Sequence, residues 1–212
     1  MNTLPPEGSA VGKPTLRARL LKARAQTDRA GTDAARTALL LDLVTRWAGP
    51  PATIACYLSR PAEPDTIALA AALHRAGYVL LVPAPGLATP WASPDWARYG
   101  EPLSPGPRGI PVAPGPELGV DALADARLII LPGLAGAMDG TRLGSGGGWY
   151  DRALLAAPAT AERWLLVDDS EVFAVLPRQP HDLGVDKLVT QSRCIVCQPP
   201  RMVAGQAASG DR

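Results

Sequence analysis

Cysteine and histidine are scarce in this chain of 212 residues, which carries three cysteines, Cys56, Cys194 and Cys197, and two histidines, His74 and His181. An odd cysteine number argues against the disulfide framework of a small secreted domain. Cys194 and Cys197 make a CxxC, yet a zinc site needs two further ligands at matching spacing, and there is no second CxxC. The pair is therefore a weak metal or redox signal. An excess of charge is missing too: 21 Lys and Arg against 20 Asp and Glu leave a net +1. That argues against a nucleic-acid surface, which shows as a basic patch or a high pI. No run approaches about 18 apolar residues, so no membrane-spanning helix is expected. The opening MNTLPPEGSAVGKP has no apolar segment of the signal-peptide kind. These absences leave a cytoplasmic enzyme as the plain expectation. Apolar residues at 47% suffice for one large domain.

The most informative stretch present is RLIILPGLAGAMDGTRLGSGGGWYDR, residues 127–152. Leu128, Ile129, Ile130 and Leu131 form a short apolar run, the pattern of a buried strand, and Pro132 and Gly133 stop it. Seven of the sixteen residues in 133–148 are glycine. Glycine permits positive φ and lets successive N–H groups turn toward one anion. If a helix begins near Trp149, its first N–H groups add to that field. Arg142 supplies a forked cation suited to phosphate, and Asp151 a hard oxygen suited to Mg²⁺. Phosphate and magnesium together suggest a nucleoside triphosphate. The spacing fits neither GxxxxGK[ST] nor GxGxxG with a following ribose-binding acid. A glycine loop that binds nothing is the structural alternative.

Around this stretch the pattern alternates. A helix is expected over 15–28, with Leu16 and Leu20 one turn apart and cations elsewhere. Lys13 and Arg17 there read, taken alone, as a solvated face. A second helix is expected over 33–47, with Asp33 as N-cap. Strands are expected over 53–58 and 78–82 with a helix over 66–76 between them, and another strand over 164–167. This succession implies a single α/β domain with a mostly parallel central sheet and helices on both faces, a Rossmann-like three-layer arrangement. Its bounds are expected at 13–198, with a disordered leader over 1–12 and a disordered tail over 199–212. Residues 83–116 hold ten of the 23 prolines. This long irregular segment is expected to be anchored by Trp91, Trp96 and Tyr99. Glu63 lies in a loop after a strand, where ligands of open parallel sheets gather, and a plain surface acid fits equally. Asp168 and Asp169, after the last of these strands, have the look of a metal pair.

At Pro132, Gly133, Leu134, Ala135, Gly140, Arg142, Leu143, Gly144, Gly146, Gly148, Tyr150 and Asp151 the chain resembles the 5-formyltetrahydrofolate cyclo-ligases, or methenyltetrahydrofolate synthetases. Their hallmark is approximately P-G-[VL]-[AG]-F-D-x-x-G-x-R-L-G-[YR]-G-x-G-[YF]-Y-D. Gly136, Ala137, Ser145 and Trp149 depart from it. Further matches are Lys13, Leu16 and Arg17 with an opening K-x-x-L-R, and Glu63, Asp65 and Thr66 with E-x-[DE]-T. His181, Asp182, Val185, Asp186, Lys187, Leu188, Val189 and Thr190 match H-D-x-x-V-D-x-[IVL]-[IVL]-T, and Gly109, Ile110 and Pro114 loosely match G-I-x-x-P. The resemblance spans roughly residues 13–192.

The resemblance implies ATP- and Mg²⁺-dependent cyclisation of 5-formyltetrahydrofolate to 5,10-methenyltetrahydrofolate. It implies ATP contacts at Lys13, Arg17, Arg142, Leu143, Gly144, Ser145, Gly146, Gly147, Gly148, Trp149 and Tyr150. It implies folate contacts at Leu58, Glu63, Trp149 and Tyr150, and magnesium at Asp151 and Asp182. Asp168 and Asp169 then become a capping or turn feature. The implied partners are ATP and a reduced folate, with neither nucleic acid nor membrane, in a monomer or weak homodimer. Two alternatives stand beside this. One is a nucleotide-binding relative with an altered substrate or no turnover, for which Gly136 and Ala137 argue. The other is a sugar-phosphate enzyme on a related scaffold, which the shortage of a placed His or Lys base disfavours.

Overall fold

Short apolar runs become strands here because each is buried on both faces. A computed structural model describes residues 12–27, 29–86, 91–179 and 182–198. The chain order is α1 Lys13–Arg24, α2 Ala30–Trp47, β1 Thr53–Cys56, α3 Ile67–Arg75, β2 Val79–Pro83, β3 Trp96–Arg98, β4 Leu128–Pro132, β5 Ala135–Ala137, β6 Arg142–Leu143, α4 Trp149–Ala153, β7 Glu162–Leu166, β8 Val172–Phe173, β9 Lys187–Val189 and β10 Cys194–Val196. Seven strands form the main sheet in the order β10-β9-β7-β4-β1-β2-β3. The five inner strands run parallel, and β3 and β10 are antiparallel edges. A small sheet, β6-β5-β8, carries the start of the glycine-rich stretch.

Alternate strand residues face two separate cores. Ile54, Leu80, Leu128, Ile130 and Trp164 pack with Leu40 and Val44 of α2 and with Leu69 and Leu73 of α3. On the opposite face, Ala55, Leu81, Ile129, Leu131 and Leu165 pack with Ala153 of α4, Leu154 and Leu123. The three-layer α/β arrangement expected from the alternation is thus present. The second face is covered by one-turn α4 and by short 3-10 segments, Val120–Asp125 and Leu154–Ala156, instead of long helices. Helix α1 packs Leu16 and Leu20 on Leu134, Ala135, Ala137 and Leu143 of the small sheet. The described part of the irregular 83–116 segment is anchored as expected: Trp96 is fully buried, and Trp91 and Tyr99 nearly so. Among the described residues no helix is long and apolar enough to cross a membrane.

Several boundaries differ from the sequence expectation. Helix α1 begins at Lys13 and ends at Arg24, because Pro14 is tolerated in the first turn. Helix α2 begins at Ala30, so Asp33 lies inside its first turn and does not cap it. The Asp33 carboxylate instead meets Arg36 and accepts from the Asp65 N–H at 3.3 Å. Strand β1 stops at Cys56, which releases Tyr57 and Leu58 from the ladder. The expected leader and tail, apart from Gly12, lie outside the described residues, as does His181.

Candidate active site

Strand order fixes where a ligand can sit. From β1 the chain moves to β2 on one side, and β4 then returns to β1's other side. Loops leaving β1 and β4 therefore diverge and open a crevice beyond their carboxyl ends, the usual site in such sheets. A cleft of about 320 Å³ lies there, walled by Tyr57 and Leu58 after β1, Pro83 at the end of β2, Pro132 at the end of β4 and Gly133 after it. Every residue named for the site in the sequence lines it: Lys13, Arg17, Leu58, Glu63, Arg142, Leu143, the 144–148 loop, Trp149, Tyr150, Asp151 and Asp182.

Helix α1 reaches the cleft because Lys13, Leu16, Arg17 and Leu20, spaced i, i+3, i+4 and i+7, share its inward face, and Leu16 and Leu20 hold that face on the small sheet. Lys13 and Arg17, one turn apart, edge that stripe and line the cleft. Lys13 Nζ donates to Asp182 Oδ2 at 2.5 Å, joining groups 169 residues apart. Asp182 Oδ2 also accepts from the Gln179 N–H at 2.6 Å. Arg17 Nε donates to the Gly144 carbonyl at 2.9 Å. Its guanidinium carbon lies 3.5 Å from where a Cβ on Gly146 would stand, and Gly146 has φ +102°. The backbone angle favours glycine there, while the Arg17 contact is an ordinary van der Waals distance. The tip of this loop, 145–147, is open to solvent. Helix α4 is a single turn, so its dipole adds little at the loop.

Arg142 is nearly buried and donates through Nη2 to Asp151 Oδ1 at 2.5 Å, while its Nε is buried without a partner. An orphaned guanidinium N–H in an anion cradle is a site waiting for an acceptor. Tyr150 Oη is likewise buried and unpartnered. Burial, then the nearby Cys56 and Glu63, push its pKa well above the usual phenol value. The hydroxyl stays protonated and can donate. Trp149 stands edge-on to Trp91, Trp96 and Tyr150, which brace its ring. Glu63 is held by Arg60, through the backbone N–H at 3.0 Å and Nη2 at 2.6 Å.

Basic groups outnumber acids in the wall. Lys13, Arg17, Arg24, Arg60, Arg108 and Arg142 face Glu63, Asp151 and Asp182, which suits a polyanion. Arg24, Arg60 and Arg108 went unnamed in the sequence. Arg24 had a signal: positions 16, 20 and 24 share one helix stripe, so it lies on the buried side. It donates to Glu171 through Nε at 2.5 Å and to the Gly133 carbonyl through Nη2 at 2.5 Å. Burial alone would lower its pKa, but the Glu171 carboxylate outweighs that and raises it. Arg29 pairs with Asp168 at 2.7 Å, and Arg36 with Asp168 as well. Asp168 and Glu171 also form a capping box on the 3-10 turn Asp169–Glu171. Asp168 is therefore a capping group engaged by arginines, while the Asp169 carboxylate accepts from Ser192 Oγ at 2.7 Å and pairs with Arg193 at 3.3 Å. No cluster of three or more potential metal-ligating side chains occurs among the described residues, the CxxC region included. Cys197 is buried, and burial pushes its thiol up to about 11.

The profile of the 5-formyltetrahydrofolate cyclo-ligase family matches residues 9–191. The chain belongs to that family. It is 34% identical over 150 residues to a 5-formyltetrahydrofolate cyclo-ligase of Mycolicibacterium smegmatis, covering 68% of this chain and 76% of that one. Its fold matches the 5,10-methenyltetrahydrofolate synthetase of Aquifex aeolicus with a TM-score of 0.72, over 93% of this chain and 99% of the other, at 24% identity. It also matches the synthetase of Mycoplasma pneumoniae, with a TM-score of 0.64 over 84% and 98% of the two chains, at 16% identity. Membership makes the protein a ligase with 5-formyltetrahydrofolate cyclo-ligase activity.

Two of the departures from the family hallmark fall outside the cleft. Gly136 and Ala137 lie in β5, and Ala137 is fully buried on the α1 side. A Cβ on Gly136 would stand 2.5 Å from Leu188 Cδ2 and 2.9 Å from Leu165 Cδ2. Those leucines fill the space that an aromatic at this position needs. An acid at 137 would face an apolar core. The nearby Asp139 instead accepts from the Thr141 N–H at 2.8 Å and closes the turn. Only Ser145 and Trp149 among the departures line the cleft.

Proposed function

We propose that this cyclo-ligase closes 5-formyltetrahydrofolate to 5,10-methenyltetrahydrofolate with ATP and Mg²⁺, by phosphorylating the formyl oxygen. The obstacle is electronic: the formamide nitrogen donates into the carbonyl, so N10 has a poor electrophile. Attack of the formyl oxygen on the γ-phosphorus expels ADP and leaves an O-phosphorylated iminium. N10 then adds to that carbon, phosphate leaves, and N10 releases its proton to solvent. Such transfers are catalysed mainly by positioning and charge stabilisation.

The chain's own groups divide this work. The 144–148 N–H groups, with Arg142, Lys13 and Arg17, hold the triphosphate. Arg142 Nε, buried and unpaired, gains an acceptor when a phosphate oxygen arrives. Glu63 exchanges Arg60 for the pterin's donor edge, and Tyr150 Oη donates to the substrate's polar atoms. Leu58 and Trp149 exclude water from the reacting oxygen. The donor set suits magnesium, which favours a few carboxylates completed by water and phosphate oxygens. Asp151 and Asp182 line one cleft, each beside a cation. When bound, magnesium would offset the negative charge developing on the phosphate oxygens.

The observation that supports this reading most is the meeting of Lys13, Glu63, Arg142 and Asp182, from four distant segments, in one net-basic cleft. The test is the absorbance of the methenyl product from purified protein, 5-formyltetrahydrofolate, ATP and magnesium. Absorbance should grow only with all three present. Intact ATP binding with no absorbance gain would select the nucleotide-binding relative instead. The core positions of Gly136 and Ala137 remove the main argument for that alternative.

A further inference from the structure

Five of the six basic side chains in the cleft are already committed to protein partners. Lys13 bonds Asp182, Arg17 the Gly144 carbonyl, Arg24 Glu171, Arg60 Glu63 and Arg142 Asp151. Arg108 differs: it is exposed, lines the same cleft, and makes no hydrogen bond or ion pair with the described residues. It is also held in an unusual backbone state, φ 60° and ψ 19°, which a residue with a Cβ adopts only at a cost.

The loop beneath it is built to present that residue. Ser104 and Val112 close its base with two backbone hydrogen bonds of 2.9 Å each. Gly106 packs so tightly that a Cβ there would stand 2.3 Å from the Ile110 carbonyl oxygen. A 3-10 turn, Pro107–Gly109, then puts Arg108 at the tip. Two residues on, Ile110 packs against the apolar cluster that contains Tyr57 and Leu58, with Tyr150 beside it. Arg108 therefore belongs to the wall on the folate side of the cleft. The triphosphate side already has Lys13, Arg17 and Arg142. An unpaired fork on a rigid tip, where the substrate's far end must emerge, suits a carboxylate.

Resting on the function proposed above, we propose that Arg108 is a specificity-determining residue that binds the carboxylates of the substrate's glutamate tail. The pteridine is held deep in the cleft, and Arg108 reads the charged end that leaves it. The contact is solvent-exposed, so it contributes modestly and weakens with salt.

The test is a cycle between a truncated ligand and a truncated side chain, read by titration calorimetry so that turnover is not required. Wild type and Arg108→Ala are each titrated with 5-formyltetrahydrofolate and with 5-formyltetrahydropteroate, which lacks the glutamate. Wild type should bind the full ligand about 5-fold more tightly, the upper size of one exposed ion pair. Arg108→Ala should lose most of that preference while its affinity for the pteroate stays within about 2-fold, and Arg108→Lys should recover part of it. An unchanged preference in Arg108→Ala overturns the proposal, as does equal weakening toward both ligands. A selective loss of ATP affinity overturns it too, by assigning Arg108 to phosphate. Wild type that turns over 5-formyltetrahydrofolate yet shows no preference sinks the tail contact alone. Wild type that binds neither folate form sinks the tail contact and the folate reading together.

Discussion

Replacing Arg142 by alanine separates the cleft's chemistry from the fold's stability. Two structural losses follow. The first is the ion pair with Asp151, whose side chain is 36% exposed. That carboxylate regains water, so losing the pair costs at most about 1 kcal/mol. The second is the apolar stem of a side chain only 6% exposed. Its methylenes account for about 2 kcal/mol, partly recovered if water fills the gap. The sum, about 2–3 kcal/mol, should lower the melting temperature by about 5–10 °C for a chain of this size. The fold survives at assay temperature. Catalysis loses the only forked cation rooted in the glycine stretch, and arginines on a transferring phosphoryl group contribute on the order of 10³-fold or more. Arg142→Ala should therefore fold with a reduced melting temperature and lose at least about 10³-fold in kcat/KM. Arg142→Lys keeps the charge without the fork and should fall between the two. Melting by circular dichroism and initial rates of methenyl formation read both effects. An alanine variant within tenfold of wild-type kcat/KM would refute the phosphate role and the reasoning from the orphaned Nε.

Gly136→Phe, which restores the family's usual residue, should destabilise the protein by about 3 kcal/mol, because Leu165 and Leu188 occupy the space the ring needs; an unchanged unfolding midpoint would show that the leucines yield. Asp182→Asn should raise the magnesium concentration for half-maximal rate, and an unchanged magnesium titration would count against the ligand assignment. Glu162 offers a pH test: burial would raise its pKa, but hydrogen bonds from Lys187 and Trp164 outweigh burial and lower it. A depressed carboxylate stabilises the fold above its unfolded pKa and loses that contribution as pH falls through the folded value. Glu162→Gln should thus lower stability at neutral pH and flatten its decline below about pH 4.5; parallel stability curves for the two proteins would refute it.

The site's vocabulary was legible because it is local. Glycines at 144, 146, 147 and 148, an arginine before them and an acid after them state their chemistry without reference to the rest of the chain. The inner strands were legible too, since apolar runs such as LIIL have no stable place outside a covered sheet. The buried arginines were not. Arg24, Arg29 and Arg36 look like a helix's solvated cations, and only Asp168 and Glu171, more than 130 positions away, turn them inward. Asp168 has the look of one of a metal pair for the same reason: its arginine partners are remote in sequence. Gly136 looked like a missing aromatic until Leu165 and Leu188 were seen filling the space.

The sequence by itself determined the class of fold, the glycine loop and the family, because periodicity and a contiguous motif are short-range properties of the chain. Tertiary structure alone decided which charges face a ligand and which hold the scaffold. Lys13 reaches Asp182 only because α1 is fastened to the small sheet through Leu16 and Leu20. Arg24, on the same helix, turns to Glu171 and the strand end instead. A charge's role depends on the groups within a few ångströms of it, and in this fold those groups come from the far end of the chain.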